Sequence, residues 1–195
     1  MSDTQDVVKL RNQTGAGMMD CKKALDEANG DYEKAIDILR QKGELKAAKK
    51  IEERTANEGL VYSYIHSNNK AGAMIALACE TDFVARTDDF KNLAHEICLQ
   101  VVAMMPDYLN PEEVPAEVLE REKSVYAEQL KGEGKPENMI EKIMTGKLDK
   151  FYSEVCLLKQ VYIKDDTITI EGLINQFIAK IGEKVQVTRF VRFQI

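Results

Sequence analysis

Between residues 71 and 104 the apolar residues change period once, and the change falls inside Leu77-Ala78-Cys79-Glu80-Thr81-Asp82-Phe83-Val84-Ala85-Arg86. Residues 71–79 form an apolar run of strand length. Residues 90–104 place Phe90, Leu93, Ala94, Ile97, Val101 and Met104 at helical spacing. A chain built this way must pass from a sheet into a helix, and Thr81-Asp82-Phe83-Val84 lies at the passage. The first backbone N–H groups of a helix lack partners inside it, so Thr81 or Asp82 is expected to cap them. Phe83 then stands beside a carboxylate at the rim of a rigid scaffold. Two roles fit it: a staple that fixes the helix start onto the core, or a wedge presented to another molecule. Spacing alone favours the staple.

The residues before this join are helical in pattern. A short helix is expected over 3–13, carrying Val7, Val8 and Leu10, with Asp3 or Thr4 at its start. Thr14-Gly15-Ala16-Gly17 is a tight loop that needs glycine torsions. A second helix, 18–28, places Met18, Cys21, Ala24, Leu25 and Ala28 on one face. Asn29-Gly30 ends it and Asp31 caps a third, with Tyr32, Ala35, Ile36 and Leu39 inward and Gly43 as its stop. Such a bundle of about forty-five residues is near the lower limit for unaided folding. The charged stretch 44–57, with Lys46-Ala47-Ala48-Lys49-Lys50 inside it, is expected to be a helical linker; its basic run is open between contact with an acidic partner and a solvated face, and composition favours the solvated face.

From Gly59 the pattern alternates. Residues 60–65 and 71–79 are two strands of an antiparallel hairpin joined by Ser67-Asn68-Asn69-Lys70. Residues 106–115 form a loop punctuated by prolines. Helices are expected over 116–130 and 136–150, with Gly132-Glu133-Gly134 between them and Pro136 in a first turn. Residues 151–163 have no clear period. Thr169 is expected to cap a helix carrying Leu173, Ile174, Phe177, Ile178 and Ile181, ended by Gly182. Residues 185–193 alternate as a half-buried strand that joins the earlier hairpin. The fold class is α+β: an N-terminal three-helix bundle (1–43), a basic helical linker (44–58) and a core (59–195) with a small antiparallel sheet flanked by helices, including a helical hairpin over about 116–150.

Chemistry is sparse. There is no phosphate-binding Gly-x-x-x-x-Gly-Lys loop and no Gly-x-Ser-x-Gly elbow. The four cysteines, Cys21, Cys79, Cys98 and Cys156, are scattered, and His66 and His95 are the only histidines. A zinc site is not expected; free thiols in a reducing compartment are. His95 falls off the apolar stripe of its helix and is expected at the surface. A Cys98–His95 pair has nothing to orient it as a nucleophile. The net charge of −6 argues against a non-specific nucleic-acid binder. No apolar run approaches a membrane span, and the acidic start, Met1-Ser2-Asp3-Thr4-Gln5-Asp6, is not a signal or transit peptide. A cytoplasmic protein with no cofactor, acting by binding, is the expectation.

Two stretches give that expectation a direction. Thr14-Gly15-Ala16-Gly17-Met18-Met19-Asp20-Cys21-Lys22-Lys23-Ala24-Leu25 and Thr81-Asp82-Phe83-Val84-Ala85-Arg86 resemble, in order and separation, the two signatures of translation elongation factor Ts. The likeness continues through Ala28-Asn29-Gly30-Asp31, Lys46-Ala47-Ala48-Lys49-Lys50, Asn110-Pro111-Glu112-Glu113-Val114, Gly134-Lys135-Pro136 and Arg189-Phe190-Val191-Arg192-Phe193. It covers nearly the whole chain. The resemblance implies a guanine-nucleotide exchange factor for elongation factor Tu, bound in its GDP and nucleotide-free forms. It implies that the bundle is of the ubiquitin-associated kind and docks through Thr14, Gly15, Ala16, Gly17, Met18, Met19, Asp20, Lys22 and Lys23. It implies that Asp82 and Phe83 enter Tu near its magnesium and phosphate site, with Thr81 and Val84 completing the motif. Asp82 is open between holding the motif's backbone and repelling phosphate-side charge; it is not expected to ligate the metal.

This chain departs from the longer members in one respect. They carry a core of two similar halves, and here one half is missing. A single small sheet would leave an edge or an apolar face uncovered, so a homodimer is expected. Two rivals remain at this level: a ubiquitin-associated-like adaptor without exchange activity, and an enzyme dependent on a cysteine or carboxylate.

Overall fold

The computed structural model describes residues 4–53, 55–132 and 137–195; the side chains of 43–53, 131 and 137–139 lie outside the description. It is an α+β protein with three N-terminal helices and a small antiparallel sheet. Two compact units are present. One comprises Met1–Leu60, Leu77–Lys91 and Gly172–Gln186; the other comprises Val61–Ala76, Asn92–Glu171 and Val187–Ile195.

In the first unit, α1 (Thr4–Thr14), α2 (Met18–Glu27) and α3 (Tyr32–Glu53) form the bundle. Their apolar positions, at helical spacing, close a core of Val7, Leu10, Cys21, Ala24, Leu25, Ala28 and Ala35. Gly15 ends α1 at φ +68°, its N–H reaching Arg11 O at 2.8 Å. Gly30, at φ +85°, likewise closes α2 by an N–H bond to Leu25 O at 2.9 Å. Asp31 starts α3 by accepting the Lys34 N–H at 3.2 Å, and that bond holds its carboxyl below the ordinary value. Two expectations fail here. Met18 is exposed, outside the core that takes Cys21 and Leu25. Gly43 does not stop α3, which runs on to Glu53 through the linker. An interior glycine costs a helix only about 1 kcal/mol, less than the good helix formers after it recover together.

Strands β1 (Glu58–Ile65), β2 (Ala71–Cys79) and β5 (Val185–Gln194) make the sheet in the order β1-β2-β5. The C-terminal strand thus joins the hairpin as the alternation predicts. Gly59 has to be glycine. Its φ is +149°, and a Cβ there would stand 2.2 Å from Leu77 O. At the hairpin turn, Asn69 takes φ +57° and Asn68 Oδ1 accepts the Lys70 N–H at 2.9 Å.

In the second unit, α5 (Asp88–Met104) sends Leu93, Ala94, Ile97, Cys98 and Val101 inward. Cys98 Sγ points to Tyr62 O at 3.6 Å and Ala73 O at 3.9 Å, placing the helix on the sheet. His95 is half-buried rather than at the surface. The Tyr62 and Tyr64 rings meet it edge-on at 5.9 and 5.3 Å, because inward tyrosines on a strand are long enough to reach the flank of the helix above. On the opposite face of β1 and β2, Val61, Ile65 and Met74 are exposed.

Helices α6 (Ala116–Gly132) and α7 (Glu137–Val155) form the helical hairpin, α7 ending five residues beyond the expected position. Glu133, Gly134 and Pro136 lie outside the described residues. The segment without a clear period resolves into the last turn of α7, a 3-10 turn (Leu157–Lys159) and β3 (Val161–Tyr162), which pairs antiparallel with β4 (Asp165–Thr169). No period in the sequence marks this small hairpin, because a two-residue strand shows no alternation. Gln100, buried on α5, holds it by donating to Val161 O at 3.0 Å and accepting from the Ile163 N–H at 3.0 Å. Helix α8 (Ile170–Ile181) follows β4 directly, and Gly182, φ +84°, ends it.

Candidate functional site

The passage from β2 to α5 contains one more element than the sequence suggests. A single helical turn, α4 (Asp82–Ala85), stands between them. Thr81, extended at φ −125° and ψ 151°, is its cap: Thr81 Oγ1 accepts the Val84 N–H at 3.4 Å. Of the two candidate caps, Thr81 takes the place and Asp82 does not. Asp82 instead pairs with Arg86 one turn on, at 2.9 Å, in an ion pair open to water. Thr87 then caps the start of α5, its Oγ1 accepting the Phe90 N–H at 3.2 Å.

Phe83 is 79 % exposed. The staple expectation is therefore overturned. The core contact falls to Phe90, which is fully buried with its ring 6.0 Å from that of Phe177. On α4 the inward residue is Ala85. A four-residue helix can aim only one side inward, and the small side chain occupies it.

What grips this turn lies far along the chain. The Glu183 carboxylate accepts both donors of Thr81: the backbone N–H at 3.1 Å and the hydroxyl at 2.7 Å. Glu80 accepts the Lys184 N–H. Cys79 Sγ donates to Thr81 O at 3.1 Å; burial first, and then the charge of Glu183, push that thiol up. No local signal marks Glu183. It follows the glycine that ends α8 and looks like any solvated carboxylate.

The N-terminal residues of interest form a second surface in the same unit. Thr14 Oγ1 donates to Leu10 O at 2.7 Å and also accepts the Ala16 N–H, so Thr14 shapes the loop from inside. Gly15 has the left-handed torsion that the loop requires. Gly17, at φ −63°, does not, and caps α2 through backbone alone. Gly15, Gly17, Met18, Met19, Lys22 and Lys23 are exposed, while Ala16 and Asp20 are half-buried. Met19 is 64 % exposed on a helix whose other face is core. The loop faces α8: a Cβ on Gly15 would stand 3.5 Å from Lys180 Cγ. Lys180 Nζ holds Asp89 Oδ2 at 2.7 Å. The end of α8 therefore reaches the loop through Lys180 and the turn bearing Phe83 through Glu183.

All four cysteines are buried and reduced. Burial pushes Cys98 up to about 11, and burial with the charges of Glu112 and Glu113 does the same for Cys156. A thiol held protonated in this way is a poor nucleophile. Among the described residues no helix is long and apolar enough to cross a membrane.

Against this geometry stand the comparisons with known proteins. The family described as Elongation factor TS matches residues 5–195. The chain is 59% identical over 191 residues to elongation factor Ts of Fervidobacterium nodosum, covering 98% of this chain and 96% of the relative. It is 55% identical over 194 residues to that of Thermoanaerobacter pseudethanolicus, covering 100% and 95%. To that of Thermotoga maritima it is 53% identical over 196 residues, covering 100% and 97%.

Proposed function

This chain belongs to the elongation factor Ts family, and from that premise we propose that it is a guanine-nucleotide exchange factor that binds elongation factor Tu and releases GDP by disturbing the magnesium and phosphate end of its nucleotide site. The observation that carries this reading is Phe83, a large aromatic held out in solvent on a turn that is tied down behind it. A GTPase holds GDP through a phosphate loop, a helix N-terminus and Mg²⁺. Shifting one loop there breaks several charge-assisted contacts together. A stiff apolar wedge achieves this by filling a space that opens only when nucleotide leaves.

In this reading Phe83 is the wedge, Thr81 and Val84 set its backbone, and Asp82, paired with Arg86, braces the outside of the turn. Residues 1–43, a bundle of the ubiquitin-associated kind, dock on the nucleotide-binding domain of Tu through the loop and helix start from Thr14 to Lys23. Residues 44–58 connect, and 59–195 carry the wedge. The docking contacts supply the binding free energy that weakens GDP, and linkage requires that GDP weaken the factor by the same ratio. No covalent step occurs, so no acid, base or cofactor is required. A second copy of the chain covers the apolar sheet face around Val61, Ile65 and Met74.

The test is release of fluorescent GDP from Tu, chased with excess GTP. The reading expects release to accelerate with added protein until it saturates. A rate unchanged from that of Tu alone contradicts it and leaves an adaptor that binds without exchange.

A further inference from the structure

We propose that Glu183 is the positioning residue of this site: its carboxylate orients the Thr81 hydroxyl and thereby fixes the turn that presents Phe83. The proposal rests on the exchange reading above. A single helical turn does not hold itself, because nucleation of an isolated turn is unfavourable. Phe83 adds little burial of its own, and on α4 only Ala85 is buried. The stiffness a wedge needs must therefore come from whatever grips the turn.

A threonine hydroxyl has one hydrogen and two lone pairs. In Thr81 the hydrogen is given to Glu183 Oε1 at 2.7 Å, which turns a lone pair toward the Val84 N–H at 3.4 Å. Glu183 Oε2 takes the backbone N–H of Thr81 at 3.1 Å. One carboxylate thus holds both the rotor and the peptide plane of the capping residue, through charge-assisted bonds. Beside it, Glu80 takes the Lys184 N–H, so consecutive residues of the two segments are tied crosswise. Without the Glu183 carboxylate the hydroxyl is free to rotate, the cap on Val84 weakens, and the turn spreads over several conformations. Only a fraction of molecules then presents Phe83 correctly, and the maximum rate of GDP release falls by that fraction. The N-terminal docking surface is untouched.

The test uses the full chain with Glu183→Ala and Glu183→Gln. Two quantities are read: hydrogen exchange of the Val84 amide, and GDP release from Tu against factor concentration. With Glu183→Ala, Val84 protection falls at least tenfold and the plateau rate falls by a similar factor, while the half-saturating concentration stays within twofold. Glu183→Gln, whose amide oxygen still accepts one of the two Thr81 donors, recovers part of both. In a Phe83→Ala background, Glu183→Ala lowers the plateau no further. Retained Val84 protection overturns the proposal, as does a plateau loss that multiplies with Phe83→Ala, or a glutamine variant no better than alanine. If Val84 is deprotected and neither Phe83→Ala nor Glu183→Ala moves the plateau, the wedge role of Phe83 in the exchange reading fails and the positioning role falls with it. The response of Val84 tells that failure from the others.

Discussion

Phe83 and Phe90 are the same side chain seven residues apart, and the fold treats them oppositely. Phe90 is sealed against Phe177, and Phe83 stands in water. Replacing Phe90 by alanine should cost about 3–5 kcal/mol of stability, the usual cost of emptying an aromatic site in a core. Replacing Phe83 should change stability by no more than about 0.5 kcal/mol, as at other surface positions. Denaturant unfolding of the two variants checks the contrast. A large loss on Phe83→Ala would mean that this ring is structural after all. The residue pattern could not decide the matter, because both phenylalanines flank helix starts and both have apolar neighbours. What decides it is α4: one extra turn re-aims residues 82–85, and a four-residue helix is too short to show a period. A cap at Thr81 or Asp82 was legible from residue type and position, and the structure gives it to Thr81. Its partner Glu183 was not, because a hydrogen bond spanning 102 residues leaves no mark in local spacing.

At the scale of elements, the long periodic segments could be read from the chain and the short ones could not. The strand Ala71–Cys79 lies where its apolar run places it, and α5 extends its expected helix by one half-turn at the start. The two-residue strand β3 and the 3-10 turn Leu157–Lys159 were hidden, since nothing so short can repeat. The continuation of α3 past Gly43 shows the converse: a glycine is weak punctuation where the residues after it sustain the helix. The packing of α5 on β1 and β2 also carries a pH signature. Burial raises Cys98 from 9.0 to about 11 in the folded chain. The thiol therefore stays neutral when folded at pH values where the unfolded chain ionises. Its contribution to stability is complete below pH 9 and is lost as pH rises through 11, by at most about 2.7 kcal/mol. Cys98→Ala should flatten the alkaline fall of stability between these limits, although it lowers stability at neutral pH. Urea midpoints measured from pH 7 to 11 show the slope. An identical slope in the variant would mean that the thiol is not shielded as its burial indicates.

At the scale of the whole molecule, the sheet has two outer strands and exposed apolar residues. Ile65 is 64 % and Phe193 71 % exposed, with Val61 and Met74 beside Ile65 on the outward face. Exposed apolar groups of this kind are uncommon on monomers unless they serve an interface. Sedimentation equilibrium should give twice the chain mass of 22.0 kDa. Ile65→Glu should shift that mass to the monomer, since a charge buried in an apolar interface has no partner. A monomeric wild-type chain would remove the dimer and leave the wedge intact. That a single small sheet leaves apolar side chains outward was legible in the alternation of β1. What covers them was not, because the same apolar pattern serves a core and an interface.

If Phe83 loosens a nucleotide in another protein by shape and placement, stopped-flow release of fluorescent GDP from Tu will show it. Wild-type protein and Phe83→Ala are compared at saturating concentration, with thermal unfolding of each measured in parallel. The expected maximum rate is at least about tenfold lower in the variant, a barrier higher by roughly 1.4 kcal/mol, with the unfolding midpoint unchanged. Equal maximum rates in two equally stable proteins would contradict it.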